Sequence, residues 1–313
     1  MNRKAGQGGS GKDGLNREQS KWWSARTDGQ GRLQREIGDI MHTRESLCEQ
    51  LRSGGILPAD TVLVHSSMKS IGQVEGGADG VLDALMGYLG PAGLLVLPTL
   101  TYTLPHVYDP TRLTCQTCTM KPEYCLSRQT PPGEPHRFEA GQTLACIGLL
   151  PNLFWQRPGV VRSLHPTHSV AAYGRDSVAF TAGHENCASG CARHSPWHRL
   201  VERQAKILLI GVGLDTMTFL HGVTDWALEG EVEPALIKTE LHVYDADGRF
   251  VPTPPTRSIV GSSRKFPLLE PALRSAGAIS DLRFGDASCL LSDCRQVTEV
   301  ATSCLTANPR LFE

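Results

Sequence analysis

Short apolar segments alternate with segments of helical spacing along most of the chain. The strand-like runs are TVLVH, GLLVLPT, HSVAAYG and KILLIGVG. Nearly continuous apolar runs of this length are typical of strands buried on both faces, since an exposed face would carry polar residues at alternate positions. Helical spacing falls between them, over ADGVLDALMGYLG, SPWHRLVERQ and TMTFLHGVTDWALEG. The pattern predicts an α/β fold, a layered α-β-α domain with a mixed, largely buried central sheet.

Less regular segments predict the remaining elements. A helix is expected over GQTLACIGLLPNLFWQ, and Ser195 is expected to cap the helix that begins at Pro196. The Asp-Gly pair in IKTELHVYDADGRFV predicts a hairpin, which is the feature that indicates a mixed sheet. The last segment, ISDLRFGDASCLLSDCRQVTEVATSCL, predicts a strand, a Gly-Asp turn and a closing helix.

Three regions differ in their composition. Residues 1–30 are rich in Gly, Ser, Lys, Gln and Asn and have little to bury beyond one Trp pair, which predicts a disordered tail. Residues 31–313 are expected to form a single domain. Within it, residues 104–138 are an irregular excursion rich in Pro, Cys and Thr.

Charge and hydropathy restrict the class of protein. The formal net charge is −1, so no basic excess marks a nucleic-acid-binding protein. No apolar run approaches the ~20 residues that a membrane helix requires, and no apolar leader begins the chain. We therefore expect a cytoplasmic protein without membrane or nucleic-acid partners. The ten cysteines are expected to be reduced thiols, because the chain is long and lacks a secretory signal.

The stretch VLVHSSMKSIGQVEGG joins a buried strand to a glycine-led helix through hydroxyls and a lysine. Backbone N–H groups at a helix start, together with Ser and Lys side chains, form an environment that favours an anion. The stretch is not a Walker loop, and no GxGxxG follows a strand. An ordinary connection, in which the serines cap local backbone, remains the alternative.

A second polar cluster, RPGVVRSLHPTHSVAAYG, precedes another strand. Its Arg162 and Ser163 are residue types that bind phosphate, and His165 and His168 can bind a ligand or transfer a proton. The alternative is that the two histidines bond to nearby backbone and hold the turn.

The third cluster, GVGLDTMTFLHGVTDWALEGE, follows the strand KILLI. Asp215 precedes His221, and Asp225 lies four residues beyond that histidine, on the same helical face. A carboxylate in that place can orient an imidazole and stabilise its cationic form, as a general base requires. His221, Asp225 and Asp215 are therefore the candidate catalytic residues. A solvated His–Asp surface contact is the alternative.

Cysteines form two separate groups, CQTCTMKPEYC and CASGCARH. Three or four thiolates with a histidine can hold zinc, but the spacing is irregular and the groups are far apart. Free thiols are the simpler interpretation, so no metal site is predicted.

Taken together, these segments resemble the aminoglycoside 3-N-acetyltransferase family, which is distinct from the commoner acetyltransferase superfamily. RPGVVRSLHPTHSVAAYG is similar to its RSxHPxxSxAAxG element, and SPWHRLVERQAKILLIGVGLDTMTFLH is similar to SPxxRL…LLLGVGxDxxTxLH. VLVHSSMKSIGQVEGG and FGDASCLLSDCRQV match the family's first and last segments. The resemblance extends from about Leu33 to Val300, with gaps at the Cys-rich excursion and at the hairpin.

The resemblance implies acetyl-coenzyme A as donor and a primary amine as acceptor, in particular the 3-amino group of an aminoglycoside antibiotic (a resistance function). It leaves a homodimer open. His221 matches the family's catalytic base. The residues that match coenzyme-binding positions are Ser66, Met68, Lys69 and Ser70 in the first element, and Arg162, Ser163, His165 and Ser169 in the second.

One departure concerns the base. The family commonly reads TxLHxxE, but Thr224 stands where that Glu is expected, with Asp225 beside it. Either Asp225 takes over after a small rotation of the helix or the base is weakened. Two alternative functions follow from these features: a coenzyme-binding protein that has lost catalysis, and a zinc-dependent hydrolase that uses the cysteines.

Overall fold

The elements of the fold come from a computed structural model that describes residues 41–101, 108–109, 114–115, 134–237 and 240–313. The strands are β1 (Thr61–Ser66), β2 (Leu94–Pro98), β3 (Tyr108–Asp109), β4 (Thr114–Cys115), β5 (His136–Glu139), β6 (Val161–Arg162), β7 (Val170–Gly174), β8 (Lys206–Ile210), β9 (Leu241–Tyr244), β10 (Phe250–Val251), β11 (Ile279–Phe284) and β12 (Ala287–Asp293). The α-helices are α1 (Arg44–Ser53), α2 (Gly77–Leu89), α3 (Leu149–Trp155), α4 (Ser177–Thr181), α5 (Pro196–Glu202), α6 (Phe219–Ala227), α7 (Glu270–Ser275) and α8 (Cys294–Ala307).

The central sheet has the strand order β11–β12–β8–β1–β2–β7–β6. Its middle strand, β1, runs parallel to both β2 and β8, whereas β7 and β12 pair antiparallel with β2 and β8. The sheet is therefore mixed, as the sequence predicts, but for a different reason. The β9–β10 hairpin forms as expected, yet it belongs to a separate small sheet with β5.

Two apolar cores cover the two faces of the sheet. Neighbouring residues of β1 alternate between them, with Leu63 in one core and Val62 and Val64 in the other. Helices α1, α2 and α3 contribute to one core, through residues such as Leu47, Leu85 and Leu150. Helices α5, α6 and α8 contribute to the other, through Trp197, Phe219 and Val297. The layered α-β-α architecture is confirmed.

Two predicted elements are wrong in extent or type. The helix predicted over residues 141–156 begins only at Leu149, because the side chain of Asn152 bonds both the N–H and the carbonyl of Ala145 at 2.8 Å and holds the preceding segment as a loop. The segment Ala287–Asp293 is a strand rather than part of the closing helix. The helix begins after it, where Asp293 accepts hydrogen bonds from the N–H groups of Arg295 and Gln296.

The predicted tail, residues 1–30, and most of the excursion, residues 104–138, lie outside the described residues. Helix α5 begins at Pro196 with Ser195 at its N-cap, as expected, although the Ser195 hydroxyl has no partner within the described part of the chain. Among the helices that the structure describes, none is long and apolar enough to cross a membrane.

Candidate functional site

A pocket of about 300 Å³ lies where β1 and β2 end, at the same edge of the sheet. The carboxyl ends of parallel strands are where α/β sheets usually bind ligands. The pocket brings together residues that are far apart in sequence, and its polar lining includes His65, Ser66, His168, Asp215, His221 and Ser263. The first and third sequence clusters therefore meet at one site, together with His168 from the second.

His221 lies in the first half of α6 and is 7% exposed. Its Nδ1 lies 3.1 Å from the carbonyl oxygen of Val260. Because a carbonyl only accepts hydrogen bonds, Nδ1 carries the proton of the neutral ring, and Nε2 keeps a free lone pair. Phe266 packs edge-on against the ring, with the two ring centroids 4.7 Å apart. The orientation and the tautomer of His221 are thus both fixed, and among the described residues the basic nitrogen has no recorded hydrogen-bond partner.

Burial sets the protonation state of this histidine. It lowers the pKa of His221 to about 4, and the hydrogen bond to the Val260 carbonyl opposes that shift only in part. The ring is therefore neutral at physiological pH and able to accept a proton.

Asp225 does not contact the imidazole directly. Its Oδ1 accepts from the N–H of Val260 at 3.2 Å, and its Oδ2 accepts from the hydroxyl of Ser189 at 2.6 Å. Burial raises the pKa of Asp225 to about 6, against the two hydrogen bonds, which lower it. Thr224, at the family's Glu position, turns its hydroxyl back to the Leu220 carbonyl at 2.7 Å. Among the described residues, no carboxylate is recorded as a partner of His221.

Two further histidines line the pocket. His65 and His168 are 7% and 6% exposed, and the Nε2 atom of each has no hydrogen-bond partner within the described ranges. Burial lowers the pKa of both to about 3, and for His168 the neighbouring His221 and His184 contribute to the lowering. Both rings are neutral at pH 7. Buried polar nitrogens without a protein partner are unusual, and at a pocket they are suited to bonding a ligand.

The serine–lysine turn forms a short 3-10 helix, Met68–Ser70, directly after β1. Ser66 lines the pocket and Lys69 is exposed. Ser70 instead donates a hydrogen bond to the carbonyl of Gly211 at 3.3 Å, and Met68 packs against the core beneath α2. Of these four predicted coenzyme residues, two therefore face the site or solvent, and two attach the turn to the fold.

The four residues predicted from the second element are buried, and none of them lines this pocket. The guanidinium of Arg162 donates to the carbonyl of Thr99 at 3.0 Å and, from Nε, to the hydroxyls of Thr99 and Ser169 at 3.2 Å. Ser169 also donates to the Thr99 carbonyl at 2.8 Å. These bonds tie β6 and β7 to the end of β2.

Ser163 and His165 also have internal partners. The Ser163 hydroxyl lies 2.8 Å from Nδ1 of His184, and Nδ1 of His165 accepts from the N–H groups of Thr167 and His168 at 3.2 and 3.1 Å. For His165 this geometry matches the alternative in which the histidine holds the turn. At the pocket of His221 this element therefore has a supporting role, whereas Arg162 and Ser163 line a separate cavity of about 750 Å³.

Sequence reasoning missed three contributors to the site. His65 stands at the end of a strand that enters the site, a signal that is visible in the sequence. Ser189 and the backbone of Val260 carried no such signal, because a serine in a loop and a carbonyl group are present throughout any chain. Their importance follows only from their contacts with Asp225 and His221.

Of the two cysteine groups, the structure describes the side chains of the second only. The side chains of Cys115, Cys118 and Cys125 lie outside the described residues. Cys187 and Cys191 are free thiols, and burial raises the pKa of both. Within the described part of the chain, no group of three or more His, Cys, Asp or Glu side chains is arranged to hold a metal ion.

Comparison with known proteins places this site in a family. The sequence profile described as "Aminoglycoside 3-N-acetyltransferase" matches residues 63–306. An aminoglycoside N(3)-acetyltransferase III of Acinetobacter baumannii is 34% identical over 183 residues, which are 58% of this chain and 59% of the relative. The matched region thus spans less than two thirds of that relative's length.

Solved structures of the same family share the fold. The crystal structure of the aminoglycoside acetyltransferase AAC(3)-Xa superposes with a TM-score of 0.67 at 28% identity, over 84% of this chain and 92% of the other. The structure described as AAC-IIIb binary with CoASH has a TM-score of 0.64 at 24% identity, over 85% and 97% of the two chains. With its profile match across β1, β8 and the His221 helix, this chain belongs to the aminoglycoside 3-N-acetyltransferase family.

Proposed function

We propose that this protein transfers an acetyl group from acetyl-coenzyme A to a primary amine, and that the acceptor is the 3-amino group of an aminoglycoside. Family membership supports both substrates, since one relative in the family has been solved with coenzyme A and others are described as aminoglycoside acetyltransferases. The observation that carries the proposal is a neutral, oriented His221 with a free Nε2 in a pocket at the strand ends.

The chemistry requires a base. An aminoglycoside amine is an ammonium ion near neutral pH, so it must lose a proton before its nitrogen has a lone pair to attack with. The nitrogen then forms a bond to the acetyl carbonyl carbon, the carbon–sulfur bond breaks, and the sulfur leaves as coenzyme A. His221 Nε2 accepts the proton of the attacking nitrogen. The whole reaction releases one proton for each acetyl group transferred.

Pocket residues suit the two ends of the reaction. We assign the donor side to Ser66 and to the exposed Lys69, which follow β1 and can bond and neutralise phosphate. We assign the acceptor side to Asp215, whose exposed carboxylate lines the pocket and attracts an ammonium group. Arg162, Ser163, His165 and Ser169 then support the site from within the fold.

The base is tested by His221→Ala. We expect kcat to fall about 10²- to 10⁴-fold, the range for loss of a general base, with a small change in the KM for acetyl-coenzyme A. The assay follows thiol release with a panel of aminoglycosides and simpler amines, and mass spectrometry of the product locates the acetyl group. His242→Ala is the matched control, because that histidine lies on β9 and bonds Glu240 at 2.9 Å, away from the pocket.

Full turnover by His221→Ala would show that His221 is not the base, and His168 would be the next candidate.

One feature favours a second function, that of a coenzyme-binding protein without catalysis: Thr224 occupies the family's Glu position and its hydroxyl is bonded within its own helix. Binding of acetyl-coenzyme A by calorimetry, with no thiol release from any amine in the panel, would establish that second function instead.

Two further expectations accompany the proposal. The donor is a metabolite of the cell interior, so we place the reaction in the cytoplasm. A homodimer stays a prediction, and light scattering of the purified protein measures it directly.

A further inference from the structure

The imidazole of His221 is bound by a backbone group that is itself held in place from the other side. The Val260 carbonyl accepts from His221 Nδ1 at 3.1 Å, and the N–H of the same residue donates to Asp225 Oδ1 at 3.2 Å. Val260 lies in a segment without regular structure, between β10 and the 3-10 helix Ser263–Leu269. Without a partner for its N–H, nothing in secondary structure would fix the direction of its carbonyl.

Asp225 also fastens a second loop. Its Oδ2 accepts from the hydroxyl of Ser189, which is 8% exposed, and Ser189 forms an isolated parallel bridge with Arg257 in the segment that leads to Val260. The carboxylate therefore connects α6, the loop at Ser189 and the segment at Val260. A half-buried carboxylate that accepts hydrogen bonds on both oxygens holds such an arrangement more firmly than neutral groups do.

We propose that Asp225 is a positioning residue for His221 and acts through Val260, with Ser189 as its support. In this arrangement Asp225 replaces the direct carboxylate contact that Thr224 cannot make. Asp225 fixes the Val260 carbonyl, that carbonyl keeps the proton on Nδ1, and Nε2 keeps its lone pair for the amine. The inference rests on the proposed function and adds the residues that make its base competent.

The test is a double-mutant cycle between Asp225 and His221. We expect Asp225→Ala to lower kcat about 10- to 100-fold, as removal of an outer partner of a functional histidine commonly does, with little change in the KM for acetyl-coenzyme A. In the His221→Ala background the same substitution is expected to have no further effect, because a residue that acts through the imidazole has nothing left to act on. Asp281→Ala, on the exposed edge strand β11, is the matched control.

A measurement independent of turnover accompanies the cycle. Nitrogen-15 NMR of the histidine rings reports which nitrogen carries the proton, and the His221→Ala spectrum identifies the His221 signals. We expect the Nδ1–H tautomer in the wild-type protein and a shift toward Nε2–H in Asp225→Ala. Asp225→Asn keeps an oxygen for the Val260 N–H, so it is expected to restore most of the tautomer and of the rate. Ser189→Ala, which removes one bond only, is expected to lie between the wild type and Asp225→Ala.

The outcomes separate this inference from the proposed function. If His221→Ala keeps full turnover, the proposed base is wrong. If His221→Ala loses turnover but Asp225→Ala costs the same factor in both backgrounds, or leaves the His221 tautomer unchanged, the positioning role of Asp225 is overturned while the base stands. Thermal unfolding of each variant shows whether the fold is kept. If Asp225→Ala does not fold, the same criteria apply to Ser189→Ala, which removes the support of the Asp225 carboxylate.

Discussion

The His221 ring is neutral at physiological pH because burial outweighs its one hydrogen bond and lowers its pKa to about 4. A base of this kind is always ready to accept a proton, but holding the proton is costly, since no carboxylate is recorded beside the ring within the described residues. We therefore expect the proton to leave the ring quickly, and the departing thiolate is a strong acceptor for it. At this scale the site is suited to transient protonation of the base.

A second residue, Lys69, tests the donor side. Its side chain is exposed on the 3-10 helix after β1, and no ion pair involving it is recorded in the described part of the chain. We expect Lys69→Ala to raise the KM for acetyl-coenzyme A about tenfold and to leave kcat within about twofold, because a charge–phosphate contact far from the thioester binds ground state and transition state alike.

Initial rates at varied acetyl-coenzyme A measure that effect. Arg249→Ala removes another exposed cation, one paired with Asp247 in the β9–β10 hairpin, and serves as the control. An unchanged KM in the Lys69 variant would count against the assignment of the phosphates to this turn.

At the scale of elements, the turns after β1 and β8 pack closely against each other at the site. Gly211 has φ +64°, and a Cβ added there would lie 2.3 Å from the Cβ of Ser70. Ser66 pairs with Ile210, so the two turns leave the sheet side by side. The glycine is required both for its backbone conformation and for the close approach of the serine–lysine turn.

Gly211→Ala is expected to destabilise the protein by about 2–5 kcal/mol, since left-handed strain contributes about 1–2 kcal/mol and overpacking about 1–3 kcal/mol. We also expect weaker binding of acetyl-coenzyme A, because Ser70 and its helix must move. Urea unfolding and calorimetry measure the two effects. Gly277→Ala is the matched control, with φ +67° and no atom within 4 Å of the added Cβ, so it isolates the strain. An equal loss of stability in the two variants would mean that the close contact between Gly211 and Ser70 does not contribute to it.

At the scale of the whole molecule, buried histidines make folding sensitive to acid. Burial lowers the pKa of His65, His168 and His184 to about 3, and that of His221 to about 4. In the unfolded chain each returns to about 6.5. Between these values the unfolded state binds more protons, so stability is fully present above pH 6.5 and is lost as pH falls.

We expect the free energy of unfolding to fall by about 4 kcal/mol between pH 6.5 and 5.5, as measured by urea titrations. Each of these four histidines, and also His165, whose pKa burial lowers as well, contributes about 1 kcal/mol to the loss, and proton uptake by Asp225 offsets a little less than about 1 kcal/mol of it. Asp225 acts in the opposite direction, since its raised pKa of about 6 lets the folded state take up a proton. His168→Asn should reduce the loss by one histidine's share. A flat stability profile in this range would show that these rings are not buried and neutral.

Local sequence patterns predicted the elements whose burial depends on near neighbours. The continuous apolar runs of β1, β2 and β8 lie in the centre of the sheet. A strand has apolar residues at every position only where both of its faces are covered. The same logic was wrong for Ala287–Asp293, where the strand joins the central sheet through β8, a partner that lies far away in sequence. It also gave a helix that was too long before Leu149, where one asparagine side chain holds a loop.

By itself the sequence determined the layered fold, the family and the three clusters from which the site is built, because periodicity and motifs are properties of adjacent residues. Only the tertiary structure decided how the parts meet. His221 reaches a carbonyl 39 residues away, and Asp225 reaches the N–H of the same residue. Such contacts use backbone atoms that every residue has. Their direction is fixed by long-range packing, so no side-chain pattern records them.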